Sequence, residues 1–147
     1  MSNVTVFGRS TLLAAALRDT STTFWVGLVD ASPDPELLIA DCVEPTIGVN
    51  GYERIQITRD GTGWPGSGTL NGQPYVESDW LIWEATGGAF DKTVQRLMLV
   101  VNETNVVDDE SDENTKVLAL SAAMPLALTV DEDTPEADRK FKFRIYG

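Results

Sequence analysis

After Thr20 the chain never sustains an apolar pattern for long. Runs of four to nine β-branched, aromatic and aliphatic residues are each cut off by glycine, proline, Asn-Gly or a cluster of acids. TTFWVGLV (22–29) ends in DASPDP; LLIADCV (37–43) ends at Pro45 and the Gly48–Gly51 turn; YERIQIT (52–58) ends in the glycine-rich DGTGWPGSGTLNG (60–72). DWLIWEA (79–85) stops at Gly87 and Gly88, and VQRLMLVVN (94–102), its expected hairpin partner, stops before the acidic DDESDEN (108–114). KVLALSAA (116–123), LALTV (126–130) and KFKFRIY (140–146) complete the series, with Pro125 opposing one central strand through 116–130. Short strands at this spacing predict an all-β fold, an antiparallel β-sandwich, jelly roll or barrel. Strand periodicity places Phe24, Val26, Leu28, Ile55, Ile57, Leu81, Trp83, Leu97 and Leu99 in its core. In 52–58 the alternation sets Tyr52, Arg54, Gln56 and Thr58 against Glu53, Ile55 and Ile57.

The exception is STLLAAALR (10–18), where Leu12, Leu13, Ala16 and Leu17 form one stripe at helical spacing behind Ser10 as N-cap. A helix this short does not hold in water by itself, so it must pack on a sheet or a neighbouring subunit. No internal repeat or linker divides the 147 residues, which therefore read as one domain, 1–147.

Composition removes several kinds of chemistry. The chain has no histidine and a single cysteine, Cys42, so Ser-His-Asp or Cys-His catalysis, histidine-bearing zinc sites and an intrachain disulfide lack their residues. Cys42, inside an apolar run, is expected to be buried. The formal charge of −12 opposes nucleic acid and anionic lipid, and no apolar run approaches the roughly 20 residues that span a bilayer. The N-terminus lacks the apolar segment of a secretory signal, so synthesis in the cytoplasm is expected.

Four features have the residue types of a site. Gly61, Gly63 and Gly66 spell GxGxxG, but Trp64 and Pro65 interrupt it and no helical pattern follows, so it is expected to be a loop and not a dinucleotide cradle. The acids of 108–113 lack the spacing of a calcium loop and read as a solvated loop, an intersubunit calcium site being the alternative. In KFKFRIY, Lys140, Lys142 and Arg144 share one face and Phe141, Phe143 and Ile145 the other: a half-buried strand with a solvated face, or else a phosphate-binding strand. Twenty-three acids always offer some carboxylate pair for glycoside hydrolysis, and nothing marks one out. No catalytic, cofactor-binding or metal-binding residue is assigned. The candidate partner contacts are Leu12, Leu13, Ala16 and Leu17 of the helix, Trp64 and Pro65 of the loop, and Trp80 at a strand start.

Taken in order, TLLAAALRDT (11–20), TTFWVGLVDASP (22–33), GYERIQIT (51–58), LIWEATGG (81–88) and DEDTPEADRKFKFRIY (131–146) resemble a loose family of small tailed-bacteriophage virion proteins, labelled tail-fibre-like or head-decoration proteins. The long 60–75 loop and the 103–115 acidic insertion depart from that pattern. The resemblance implies a non-enzymatic structural role without catalytic residues. The expectation is a capsid cement, or decoration, protein on the outside of the head, bound to the major capsid protein and to itself as a homotrimer. The alternative is a tail-fibre, tail-tip or carbohydrate-binding module.

Overall fold

The computed structural model describes residues 24–30, 39–58, 60–101 and 117–146. The helix expected over 10–18, with Leu12, Leu13, Ala16 and Leu17, and the acids of 108–113 lie outside the described residues. Among the described residues there are nine strands: β1 (Phe24–Val29), β2 (Ile55–Ile57), β3 (Gly66–Leu70), β4 (Gln73–Glu77), β5 (Leu81–Ile82), β6 (Arg96–Val101), β7 (Val117–Leu120), β8 (Lys140–Phe141) and β9 (Arg144–Tyr146). All pairings are antiparallel, and the strands form a four-stranded sheet in the order β2-β1-β6-β7, a three-stranded sheet β3-β4-β9 and the pair β5-β8. The fold is all-β, as the punctuated sequence predicts.

One apolar core draws on all three sheets, with Val26 and Leu28 of β1, Leu97 and Leu99 of β6, Val76 of β4, Leu81 of β5, and Phe143 between β8 and β9. Eight of the nine residues expected in the core are buried. The ninth, Ile55, packs against it half-buried. β1 and β6 are apolar on both faces, and the second face packs Val29, Met98 and Val100 against Ile39 and Val117.

Four expectations are corrected. From Ile39 onward, where it is described, LLIADCV is not a strand: Ile39–Asp41 form a single 3-10 turn that drops Ile39 onto the second face of the large sheet. The alternation in 52–58 does not hold throughout, because only Ile55–Ile57 pair with β1, while Tyr52 and Arg54 turn inward and are buried. DWLIWEA does not form a hairpin with VQRLMLVVN. β5 pairs with β8 and β6 lies between β1 and β7, since periodicity specifies a face but not a partner. Finally, the glycine-rich segment is not a loop throughout. Its second half is β3, joined to β4 through Asn71 and Gly72, both at positive φ as a two-residue hairpin turn requires.

The first half of that segment folds inward, which overturns Trp64 as a surface contact. Asp60 accepts hydrogen bonds from the backbone N–H of Thr62 (2.8 Å) and Gly63 (3.0 Å), closing a tight turn. A Cβ on Gly63 would lie 1.9 Å from the Thr58 carbonyl oxygen, so only glycine permits the approach. The turn delivers the Trp64 ring, 0% exposed, into the main core, while Pro65 stays at the surface. Gly63 thus serves indole burial and not phosphate binding. Trp64→Ala is expected to destabilise the fold by roughly 3–5 kcal/mol, the range for emptying a large aromatic site. Equilibrium denaturation measures this, and a loss under 1 kcal/mol, near the cost of a surface change, would contradict the burial.

Candidate functional site

Trp80 stands out to solvent because the strands beneath it are out of step by one residue. Glu77 pairs with Arg144 and Leu81 pairs with Phe141, so three intervening residues, Ser78, Asp79 and Trp80, are matched against two, Lys142 and Phe143. The extra residue is a β-bulge, which flips the inward-facing positions from Val76 and Ser78 to Leu81 and Trp83. Trp80 falls where the phase changes and is left 50% exposed. The opposite strand keeps a single phase, with Phe143 buried and Phe141 and Ile145 packed on the core, so the alternation in KFKFRIY is as expected, and Lys142 lies on the exposed side.

The backbone groups freed by the bulge find partners. Ser78 N–H donates to the Phe143 carbonyl (2.8 Å), and Phe143 N–H donates to Ser78 Oγ (2.8 Å). Asp79 N–H donates to the Gly63 carbonyl (3.0 Å), tying the bulge to the Trp64 turn, and Trp80 N–H donates to Asp79 Oδ1 (2.8 Å). With its backbone N–H groups paired, the bulge is a built feature that aims one large side chain outward.

Around Trp80 lies an open groove of about 500 Å³. The Nζ atoms of Lys140 and Lys142 sit 4.6 and 4.7 Å from the centroid of the indole ring, within cation–π range. Glu77 holds Arg144 through Nε (2.9 Å) and an Nη (2.7 Å), with Lys142 3.8 Å away, and the Arg144 guanidinium lies over Tyr75 at 4.0 Å. Arg96 enters from β6, its Nε buried with no hydrogen-bond partner among the described residues. Apolar area comes from Trp80, Leu97, Met124 and Phe141. Arg96, Lys140, Lys142 and Arg144 against Glu77 alone give the groove a formal charge of +3, inside a chain of −12. Such a surface suits an acidic partner with some apolar area.

A second polar cluster is structural. Glu44 accepts from Arg54 Nε (3.0 Å) and Nη2 (2.8 Å) and from the Tyr52 hydroxyl (2.6 Å). The Tyr52 hydroxyl in turn accepts the Leu28 N–H (2.9 Å). Burial, then Glu44, holds the phenol far above its usual range, so it stays protonated and keeps donating. Cys42, half-buried nearby, is pushed up to about 11 by burial and by Glu44, Asp30 and Asp41, so it is a thiol and not a nucleophilic thiolate at neutral pH. Among the described residues no group of carboxylates and cysteine is arranged to hold a metal ion, and no helix is long and apolar enough to cross a membrane.

The structure therefore separates the candidate contacts named from sequence. Trp80 heads the groove, Trp64 is core, Pro65 is exposed beside the bulge-linked turn, and the helical four lie outside the described residues. Arg96 and Glu77 were missed, since nothing in their own strands indicates that β6 and β4 flank the same hollow.

The chain matches no protein-family model, no curated protein and no solved structure.

Two outcomes test these assignments. With the Arg54 side chain 1% exposed and that of Glu44 10%, Arg54→Ala leaves a buried carboxylate unpaired and is expected to cost roughly 3–5 kcal/mol in denaturant unfolding. Arg54→Ala combined with Glu44→Gln should cost less than the sum of the two single changes. Asp91 accepts from both Thr46 N–H (2.8 Å) and Thr46 Oγ1 (2.6 Å), which holds its carboxyl below the ordinary 3.8. A depressed folded value means stability present above pH 3.8 and lost as pH falls towards the folded value. Asp91→Asn should flatten the acid side of the stability profile, and an unchanged profile would remove Asp91 from the acid response.

Proposed function

We propose that this chain is a non-enzymatic structural protein of a tailed-phage virion, acting as a capsid cement protein on the outer face of the head. The observation that carries this reading is the Trp80 groove. A satisfied β-bulge presents one exposed aromatic anchor between cations on an otherwise acidic β scaffold, an arrangement suited to holding a neighbour and not to making or breaking bonds. The charge supports an outside placement, because −12 is repelled by packaged DNA and keeps an outer surface soluble. Among the described residues β2, β7 and β3 stand at sheet edges, and such edges are commonly covered by a neighbour, which supports an assembly role. The segment-by-segment resemblance to small virion proteins supports the same class.

Mechanistically, each copy bridges major capsid subunits and other copies. By binding the expanded lattice more tightly than the unexpanded one, it stabilises the expanded shell against internal DNA pressure by linkage. A tail-fibre or tail-tip module that binds carbohydrate would use the same Trp80, but two ammonium groups already lie near the ring that a sugar would stack on. Electron cryomicroscopy of the virion is expected to find the chain on the outer head surface. Density confined to the tail, the portal or the head interior would overturn the cement assignment.

A further inference from the structure

We propose that the Trp80 groove receives the acidic turn 131–138 of a second copy of this chain. The inference rests on reading the groove as a docking surface, and it names the occupant. The turn carries Asp131, Glu132, Asp133, Glu136 and Asp138, all exposed. Among the described residues none of the five is in an ion pair. Its backbone is pinned as a compact knob: Asp131 N–H donates to Thr134 Oγ1 (2.9 Å), and Asp133 N–H donates to Asp131 Oδ1 (2.9 Å). A knob of five carboxylates and a groove of formal charge +3 are complementary in sign.

Their placement points to a second copy and not to a foreign acidic segment. Met124, Lys140 and Phe141 line the Trp80 groove and also a neighbouring hollow completed by Leu126 and Asp138. The end of the turn, at Ala137 and Asp138, therefore adjoins the groove across an apolar strip in which Leu126 is 80% exposed. A face with a positive half, an apolar middle and a negative half is self-complementary. Rotating a second copy about a two-fold axis through the strip sets each groove against the other's turn and buries both Leu126 side chains between them. Two chains of −12 repel one another in most orientations, and this one places opposite signs together.

The full chain in analytical ultracentrifugation tests the contact. The wild type is expected to form dimers with rising concentration, and added salt is expected to weaken them. Lys140→Glu with Lys142→Glu should abolish the dimer, as should Glu132→Lys, Asp133→Lys and Glu136→Lys together. An equimolar mixture of these two variants should restore a 1:1 complex, because the reversed groove then meets the reversed turn. Circular dichroism of each variant should match the wild type, and its melting should match that of the wild type diluted to the monomer. Leu126→Asp, at an exposed position, provides an independent variant that should also lose the dimer. A wild type that stays monomeric at millimolar concentration, an oligomer indifferent to these substitutions, or variants that fail to pair when mixed would each overturn the proposal. A monomer that instead binds a poly-glutamate peptide would assign the groove to a foreign acidic segment and overturn it equally. None of these outcomes bears on where the chain lies in a virion.

Discussion

The Glu44 carboxylate, held by Arg54 and Tyr52 over the middle of β1, is the interaction on which the large sheet depends. β1 pairs with β2 only as far as Val26, so the N–H groups of Leu28 and Asp30 on that side have no strand to meet. The Tyr52 hydroxyl takes the first and the Val43 carbonyl (3.0 Å) takes the second. A loop thus finishes the edge that a strand begins, and Glu44 fixes the loop in place. The arrangement requires Gly27, where an added Cβ would lie 2.7 Å from Glu44 Oε1 and 3.1 Å from the Tyr52 hydroxyl. With β1 secured on that side, its other edge holds β6 through six residue pairs, and Gln95 N–H reaches the Val29 carbonyl (2.7 Å). β6 in turn carries Arg96 and Leu97 into the Trp80 groove. The groove is therefore positioned from the far side of the sheet.

The bulge acts at the other end of this chain of dependence. A regular ladder from Glu77 to Ile82 would continue the inward phase of Val76 and Ser78 to Trp80, burying the indole and exposing Leu81. The inserted residue reverses both outcomes at once. Ser78 makes the insertion tolerable, because its hydroxyl replaces a missing strand carbonyl as acceptor for Phe143 N–H inside the protein. A hydroxyl here is worth more than its packing, since without it a buried backbone donor would be left unsatisfied.

These details explain what the sequence could and could not reveal. The class and the core were legible, because short apolar runs such as FWVGLV and RLMLV, cut off by turn residues, report strands buried on both faces. The shared face of Lys140, Lys142 and Arg144 was legible for the same reason. Partners were not, because DWLIWEA satisfies its apolar face equally well beside β6 or beside β8. LLIADCV reads as a strand because a short, mostly apolar run does not distinguish a strand from a turn that drops one side chain into the core. Trp64 looked exposed because glycine and proline surround it. The signal that it folds inward was Asp60 two and three residues before Thr62 and Gly63, the spacing of a side-chain-closed turn. The bulge left no mark of its own beyond Ser78-Asp79 standing where the alternation stumbles.

Charge gives the surface two different ranges of action. The net −12 acts between separated molecules, but at physiological salt the Debye length is about 8 Å, so this repulsion decays over a few water layers. Inside the Trp80 groove, ammonium and guanidinium groups are held within 5 Å of aromatic rings, and Arg96 is partly withdrawn from water. Charges placed in this way are felt more strongly by a group that enters the groove and displaces its water. An acidic surface that discourages contact in general, with one groove of opposite sign, leaves few orientations in which a neighbour can approach closely. Specificity then arises from the unfavourable character of all other surfaces as much as from the attraction of this one. For a chain that docks on a neighbour, such a distribution of charge opposes aggregation before docking without weakening the docked state.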